Sequence, residues 1–326
     1  MRIKQPFVSV LTPVFNGEKF IEECIKSVVS QTYKSFEYII VNNCSTDKTF
    51  DIAKSYADKD SRIKIHNNKR HLPLLQNLNH TFLQMSKDSK YCKVIHADDW
   101  LYPECIEKMV EVAEKNPRVG IVSSYLLEGK KTESFILEDR QIKGIGLSYD
   151  RNIFPGREIC RLTLLGKGYF FGSPSTLLIR SDIIRKRVPF YSEDNIHTDF
   201  EVCLDILREW DFGFVHQVLS FSRVHDNAHS SFAKRVNTYI LEGIKVIEKY
   251  GSVYLSDDEY KEIMNKKMKY YYRFLGKSIF KNRKKEFWTF HINGLKEMGK
   301  SINILKLFLS FILVIYNKII SSFIIS

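Results

Sequence analysis

The sequence predicts an α/β fold: a mostly parallel central sheet flanked by helices, continued by a C-terminal helical extension. Three observations carry that reading. From residue 7 to about 125, short apolar runs alternate with stretches of helical spacing, a pattern that builds parallel strands joined by right-handed crossovers. Polar loops at 12–17, 42–47, 66–77 and 96–102 follow successive apolar runs, on the side of such a sheet where ligands bind. From about 236 to 300 the chain reads as helices rich in Lys, Tyr and Phe.

Taken in order, FVSVL (7–11) is a buried strand and TPVFNG (12–17) a turn built on Pro13, Asn16 and Gly17. Phe15 in that turn offers an aromatic face on which a base can stack. Phe20, Ile21, Cys24, Ile25, Val28 and Val29 recur at helical spacing. YIIV (38–41) is the second strand. VNNCSTD (41–47) follows it and opens a helix with Ser45, Thr46 and Asp47, residues that equally suit an ordinary cap. Phe50, Ile52, Ala53 and Tyr56 mark the second helix, IKIH (63–66) the third strand, and Leu75, Leu78, Phe82 and Leu83 the third helix. YCKVIH (91–96) is the fourth strand, Pro103 starts a fourth helix at the N1 position that suits it, and VGIVSS (119–124) is the fifth strand. From 126 to about 235 the pattern loosens, with turns marked by Gly144, Gly146, Pro155, Gly156, Gly172 and Pro174.

The composition narrows the function classes. With 326 residues, 44% of them apolar and 13% aromatic, the chain has ample core material and is not disordered throughout. Six scattered Cys form no CxxC pair and no Cys/His cluster, which argues against a zinc site or a disulfide scaffold and suits a reducing, cytoplasmic setting. The N-terminal MRIKQPFVSV lacks the long apolar core of a secretory signal. The net charge of +12 sits almost wholly beyond residue 260, where 14 Lys and Arg face three Asp and Glu. A neutral body with a basic tail argues against nucleic acid as partner. The tail runs through KNRKKEFW (281–288) to INILKLFLSFILVIYNKIISSFIIS (302–326), where Lys306 and Lys318 flank an apolar stretch shorter than the roughly 20 residues of a spanning helix. It is expected to lie on an anionic cytoplasmic membrane surface. The alternative is a helix packed on the body or on a second subunit, so an oligomer is compatible with the sequence.

The chemistry centres on HADDW (96–100), which places Asp98 and Asp99 at the carboxyl end of the fourth strand. Adjacent carboxylates are costly to ionise unless a cation is present, and Mg²⁺ or Mn²⁺ held by one or two carboxylates plus substrate phosphates answers that need. The same acids before Pro103 also suit a helix N-terminus.

Together these loops resemble the family 2 glycosyltransferases, inverting enzymes of the GT-A (Rossmann-like) fold. The motifs that carry the likeness are Pro13–Phe15–Asn16, Ser27–Gln31, Asn42–Asn43–Cys44–Ser45–Thr46–Asp47 and Asp98–Asp99, in that order. Beyond residue 125, FGSPST (171–176) looks like a segment that borders the acceptor, HTDFEVCLDIL (197–207) like the helix that carries the catalytic base, and SFSRVHDNAHSS (220–231) like an R-x-H-x-x-x-S closing segment.

What the resemblance implies is specific. Residues 1–235 would form the GT-A domain, with 1–125 binding the nucleotide-sugar and 126–235 bordering the acceptor. A helical extension (236–300) and a membrane-associated apolar tail (301–326) would follow. Pro13, Phe15, Asn16, Asn43, Asp98, Asp99 and Arg223 would hold the donor, UDP-sugar by default. Asp199 would deprotonate the acceptor hydroxyl, and Asp99 with His225 would hold Mg²⁺ or Mn²⁺. The reaction would be inverting sugar transfer to a saccharide or lipid-linked saccharide at the inner face of the cell membrane, in lipopolysaccharide, capsule or other surface-glycan synthesis. Two departures stand out: Asn42–Asn43 occupies a loop where the family usually has an Asp, and His96 stands where an extra acid often precedes the pair. A nucleotidyltransferase would need a Gly-rich basic phosphate loop, which TPVFNGEKF lacks. A catalytically degenerate relative that binds a glycan or partner at the membrane is the remaining alternative.

Overall fold

The computed structural model describes residues 5–131, 137–143, 146–193, 197–225, 236–280 and 284–324. The chain divides into two compact units, Met1–His225 and Asp226–Ser326.

In the first unit, β1 (Val8–Val14), β2 (Phe36–Asn42), β3 (Ile63–Asn67) and β4 (Tyr91–Val94) alternate with α1 (Ile21–Val29), α2 (Thr49–Ala57) and α3 (Leu74–Leu83). Then come β5 (Trp100–Leu101), α4 (Cys105–Glu114), β6 (Val119–Lys131), β7 (Leu137–Lys143), β8 (Ile153–Phe154), α5 (Gly156–Leu164), β9 (Leu178–Arg180), α6 (Ser181–Lys186), α7 (Thr198–Leu207) and β10 (Asp211–Arg223). A single 3₁₀ turn, Pro174–Thr176, precedes β9. The sheet order is β3-β2-β1-β4-β9-β6-β10-β5, with β7 on β6 and β8 on β10.

The expected parallel pairing holds from β3 to β4. Beyond β4 the sheet is mixed: β9 runs antiparallel between β4 and β6, and β6 and β10 are parallel to each other. The two-residue strands β5 and β8 both pair antiparallel with β10. The loosely patterned stretch from 126 therefore contains long strands as well as turns.

Apolar spacing explains the layers. Ile21, Cys24, Ile25 and Val28 face inward from α1 onto Val10 and Ile40 of the sheet, in a core that also takes Met109 and Val122. Each such side chain contributes about 1.5–3 kcal/mol when fully buried. Acidic Glu22 and Glu23 start α1, and Lys26 lies in its last turn, as the helix dipole favours.

Pro13, expected in a turn, lies in β1 opposite Val41. Leu11 faces β4, since its carbonyl accepts the Ile95 N–H, and Val14 faces β2 by accepting the Asn43 N–H. Pro13 therefore points toward β4 one step after that strand's paired residues end at Val94. Its missing N–H removes no ladder bond there.

The second unit is helical, with α8 (Thr238–Tyr254), α9 (Asp257–Phe280), α10 (Lys285–Glu297) and α11 (Ile304–Ile324). Leu241, Ile244, Tyr271, Leu275, Phe287 and Leu295 form its core. His291 is fully buried there, its Nε2–H donating to the Val236 carbonyl at 3.1 Å while Nδ1 accepts from the Tyr271 hydroxyl at 3.0 Å. Gly276 lets α11 approach α9 closely, because a Cβ there would meet the Ser310 and Phe311 backbone at 3.0 Å.

Candidate functional site

The acidic pair is held between two strand ends. After β4 the chain turns, the Asp99 N–H donating to the His96 carbonyl at 3.0 Å, and β5 then pairs with β10 through Trp100–Phe221 and Leu101–Ser220. The last residue of β10 closes the turn from outside. The Arg223 N–H donates to Asp99 Oδ1 at 3.0 Å, its Nε to the Asp98 carbonyl at 3.1 Å, and its Nη2 to Glu23 Oε2 at 2.5 Å. The guanidinium lies over Phe20 (4.7 Å) and Trp100 (5.2 Å). His225 Nε2–H donates to Asp98 Oδ2 at 2.9 Å, with its ring 5.0 Å from Phe20. Asp98, Asp99, Arg223 and His225 thus converge. The Arg223 side chain is only 8% exposed and already paired with Glu23, so it braces the acidic turn. The remainder of the closing segment, from Asp226 to Ser231, lies outside the described residues.

Asp99 is 4% exposed. Burial first, and the charge of Asp98 second, push its carboxyl up to about 6, against the favourable effects of His96, the Ser175 hydroxyl and the Arg223 N–H. Ser175 is fully buried and also accepts the His96 N–H at 3.0 Å. Beneath it, the fully buried Lys93 donates to the Ser175 carbonyl. Burial lowers that ammonium's pKa. The sequence placed Ser175 in FGSPST and Trp100 in HADDW without giving either its own role, and it did not single out Glu23, Phe20 or Lys93 for the site. The one signal available was Lys93, a lone charge inside the apolar run YCKVIH.

The Ser27–Gln31 motif has a plain structural task. Ser27 Oγ accepts the Leu101 N–H at 3.1 Å. The Gln31 amide donates to the Tyr102 carbonyl at 2.9 Å and accepts the Ile106 N–H at 3.0 Å. Helix α1 thereby grips the chain just after the acidic pair.

The first two loops are tied to each other. Asn16 stands at φ 48, in the left-handed region. Its N–H donates to Ser45 Oγ at 3.0 Å, and its Oδ1 accepts the Thr46 N–H at 2.8 Å. The Gly17 N–H reaches Thr49 Oγ1 at 2.8 Å, and Asp47 Oδ2 accepts the Glu18 N–H at 3.0 Å. Phe15 is 48% exposed and meets the His71 ring edge-on at 4.5 Å. Pro13 is buried in β1, beneath that surface.

Asn43 is committed elsewhere. Its Oδ1 accepts both the Leu72 N–H (2.9 Å) and an Asn68 Nδ2–H (2.7 Å), while its Nδ2 donates to the Leu72 carbonyl (2.9 Å). Both lone pairs of that oxygen are in use. Asn42 likewise bonds Asn67 and the Ser45 N–H.

Asp199 sits half-buried in the first turn of α7. Desolvation raises its carboxyl pKa, while the Phe200 N–H and His96 act the other way. His96 is close enough to act on both Asp99 and Asp199.

Residues 9–187 match the family model for glycosyl transferase family 2. The chain belongs to that family. This glycosyltransferase is 29% identical over 235 residues to an uncharacterized glycosyltransferase of Haemophilus influenzae, covering 69% of this chain and 68% of the relative. It is 33% identical over 226 residues to an uncharacterized glycosyltransferase of Rickettsia typhi, covering 68% and 65%. The chain thus spans about two thirds of the length of these relatives. Among solved structures it is similar to S. aureus TarS 1-349 in complex with UDP-GlcNAc (TM-score 0.59, 18% identity, 90% of this chain and 80% of that one). It is also similar to the mannosyltransferase PcManGT of Pyrobaculum calidifontis in complex with GDP-Man and Mn²⁺ (TM-score 0.54, 15% identity, 80% and 68%). These likenesses show the GT-A fold, as expected from the sequence.

Among the described residues no group of three or more His, Cys, Asp or Glu side chains is gathered for a metal ion. The donor set of the glycosyltransferase still fits a hard cation that takes most of its ligands from phosphate and water. Asp98 and His225 face each other at 2.9 Å, and Asp99 is a buried carboxyl beside them whose pKa burial and the Asp98 charge raise. The sequence paired Asp99 with His225; the side chain that His225 touches is Asp98.

Proposed function

We propose that this glycosyltransferase moves a sugar from a UDP-sugar to an acceptor hydroxyl with inversion, on a saccharide or lipid-linked saccharide of surface-glycan synthesis, at the inner face of the cell membrane. The observation that carries the reading is the convergence of Asp98, Asp99, Arg223 and His225 at the ends of β4 and β10, with Asp199 sharing the influence of His96.

The nucleotide lies along the braced loops, with Phe15 as the exposed ring against the base, Asn16 tying the first loop to the second and Asn43 tying the second to the 68–72 segment. Asp98 and Asp99 face the ribose and diphosphate. Mg²⁺ or Mn²⁺, when bound, supplies positive charge to the departing diphosphate; Asp99, Asp98 and His225 are the residues that would hold it. Arg223 fixes the acidic turn from above. Asp199 takes the acceptor proton: desolvation has raised its affinity for one, which is what a general base needs. A single carboxylate opposite the leaving group suffices for inversion. TarS was seen with UDP-GlcNAc and PcManGT with GDP-Man and Mn²⁺; the first supports UDP here, and both support a nucleotide-sugar donor.

Membrane contact is supported by α11. No helix among the described residues is long and apolar enough to cross a membrane. Yet Ile304, Leu305, Phe308, Leu309, Ile312, Leu313 and Tyr316 are all exposed along one side of α11, an arrangement suited to the plane of a bilayer surface.

Calorimetric titration with UDP, GDP, dTDP and CDP, each with and without Mn²⁺, tests the site. Metal-dependent binding of UDP above the others is expected, and no binding by any of the four would remove the donor reading. Asp199→Asn should keep nucleotide affinity and lose transfer; full activity in that variant would place the base elsewhere.

A further inference from the structure

Helix α3 begins within the segment HLPLLQN (71–77) and carries two asparagines with different anchors. Asn77, buried in the core, accepts an Asn68 Nδ2–H at 2.9 Å, and that same nitrogen donates to Asn43 in the second loop. Two residues on, Asn79 makes both of its hydrogen bonds to one residue. Its Nδ2 donates to the Tyr191 carbonyl at 2.9 Å and its Oδ1 accepts the Tyr191 N–H at 2.8 Å. This is the pairing a neighbouring strand would offer, supplied here by a side chain to a stretch that pairs with no strand among the described residues. Rings reinforce it, with Phe82 of α3 packed 4.7 Å from Phe190 and 5.6 Å from Tyr191.

The clamped stretch is tied to the start of α7. The Ser192 N–H donates to Thr198 Oγ1 at 2.9 Å, and Thr198 is the first residue of α7, next to Asp199. The carboxylate is also close enough to Tyr191 to act on its phenol. One helix therefore braces the Asn43 loop at one residue and the approach to Asp199 at another.

We propose that Asn79 is a positioning residue for Asp199. It sets the carboxylate's place relative to the donor by tying the Tyr191 backbone to the helix that supports the nucleotide loops. The proposal rests on the reading of Asp199 as the base. A displacement on the order of 1 Å at a reacting group can cost about a hundredfold in rate, so loosening this clamp should act on turnover and spare donor affinity.

The test uses the full chain with Mn²⁺ and measures nucleotide release from UDP-glucose, UDP-galactose, UDP-GlcNAc and GDP-mannose with water as acceptor, together with calorimetric nucleotide affinity and melting temperature. With the donor the unmodified chain uses, Asn79→Ala should lower the release rate about 10–100-fold while nucleotide affinity stays unchanged. Asn79→Asp keeps the acceptor for the Tyr191 N–H and serves if the alanine variant does not fold; it should show the same split. In an Asp199→Asn background, either change should slow the residual rate no further, because Asn79 acts only through that carboxylate. An Asn79 variant at full rate, or one whose slowing multiplies with Asp199→Asn, overturns the proposal and leaves Asp199 in place. An Asp199→Asn variant at full rate, or an unmodified chain that releases nucleotide from none of the four donors, overturns the catalytic reading and this inference with it.

Discussion

Taking a carboxylate out of water is costly, and Asp99 is 4% exposed beside a second carboxylate. The protein offsets that cost only in part, through the Arg223 N–H and the Ser175 hydroxyl, and the carboxyl remains up at about 6 against roughly 3.9 for a free side chain. Between those values the folded protein holds this proton more tightly than the unfolded chain does. The group's contribution to stability therefore declines as pH rises from about 4 to about 6. Cation binding should run the opposite way, since proton and metal compete for the same oxygens. Mn²⁺ affinity in the presence of UDP is expected to rise with pH and level off above about 6, and Asp99→Asn should remove the step. Titration of Mn²⁺ at a series of pH values from 5 to 8 checks this; a flat profile for the unmodified chain would contradict it. Asn43 shows the same logic without charge. It must donate to the Leu72 carbonyl and accept the Leu72 N–H, and an Asp could do only the second. The amide at 43 therefore suits this bracing where an ionised carboxylate would not.

At the scale of elements, what spacing could reveal and what it could not are cleanly divided. The first four strands and four helices follow from apolar patterning: β1, β2 and β4 are buried throughout, α1, α2 and α4 pack on one core, and α3 buries Leu78 and Phe82. Periodicity is silent on β5 and β8, which are two residues long and defined only by their partner β10. It is also silent on Arg223 meeting Glu23, an ion pair 200 residues apart in sequence. The resemblance of motifs supplied the convergence of Asp98, Asp99 and His225, while Lys93, Ser175 and Asn79 act through contacts no short motif encodes. Gln31 lies between these cases: its position in a pattern was legible, its task was not. It is fully buried, and truncation would leave the Tyr102 carbonyl and the Ile106 N–H without their partners. Each stranded group costs about 1–3 kcal/mol. Gln31→Ala should therefore destabilise the first unit by about 2–6 kcal/mol in urea unfolding, and weaken UDP·Mn²⁺ binding because β5 follows the acidic pair directly. A variant with unchanged unfolding midpoint would show that the clamp is dispensable.

For the whole molecule, the separation of charge is the feature that single residues do not explain. The 14 Lys and Arg beyond residue 260 contribute nearly all of the net +12, while the first unit holds the acidic turn. An anionic membrane rewards such a tail, at about 1 kcal/mol for each basic side chain near its surface. Helix α11 adds the apolar part. Val314 is buried, and Gly276 permits close backbone contact with α9, so one side of α11 is already packed. The side bearing Leu305, Phe308 and Leu309 is exposed. Changing those three residues to Asp should therefore spare the fold and lower association with vesicles containing phosphatidylglycerol by about a hundredfold or more, given about 1.5–3 kcal/mol for each buried apolar side chain. Raising the salt concentration should weaken the remaining association, because the basic contribution is screened. Cosedimentation with such vesicles, set beside vesicles of neutral lipid, makes the comparison. If deletion of 302–326 leaves cosedimentation unchanged, α11 is not the contact, and its exposed side has some other use. If the deletion releases the protein while nucleotide affinity persists, the tail serves to bring the site to acceptors held at the membrane, with no part in building the site itself.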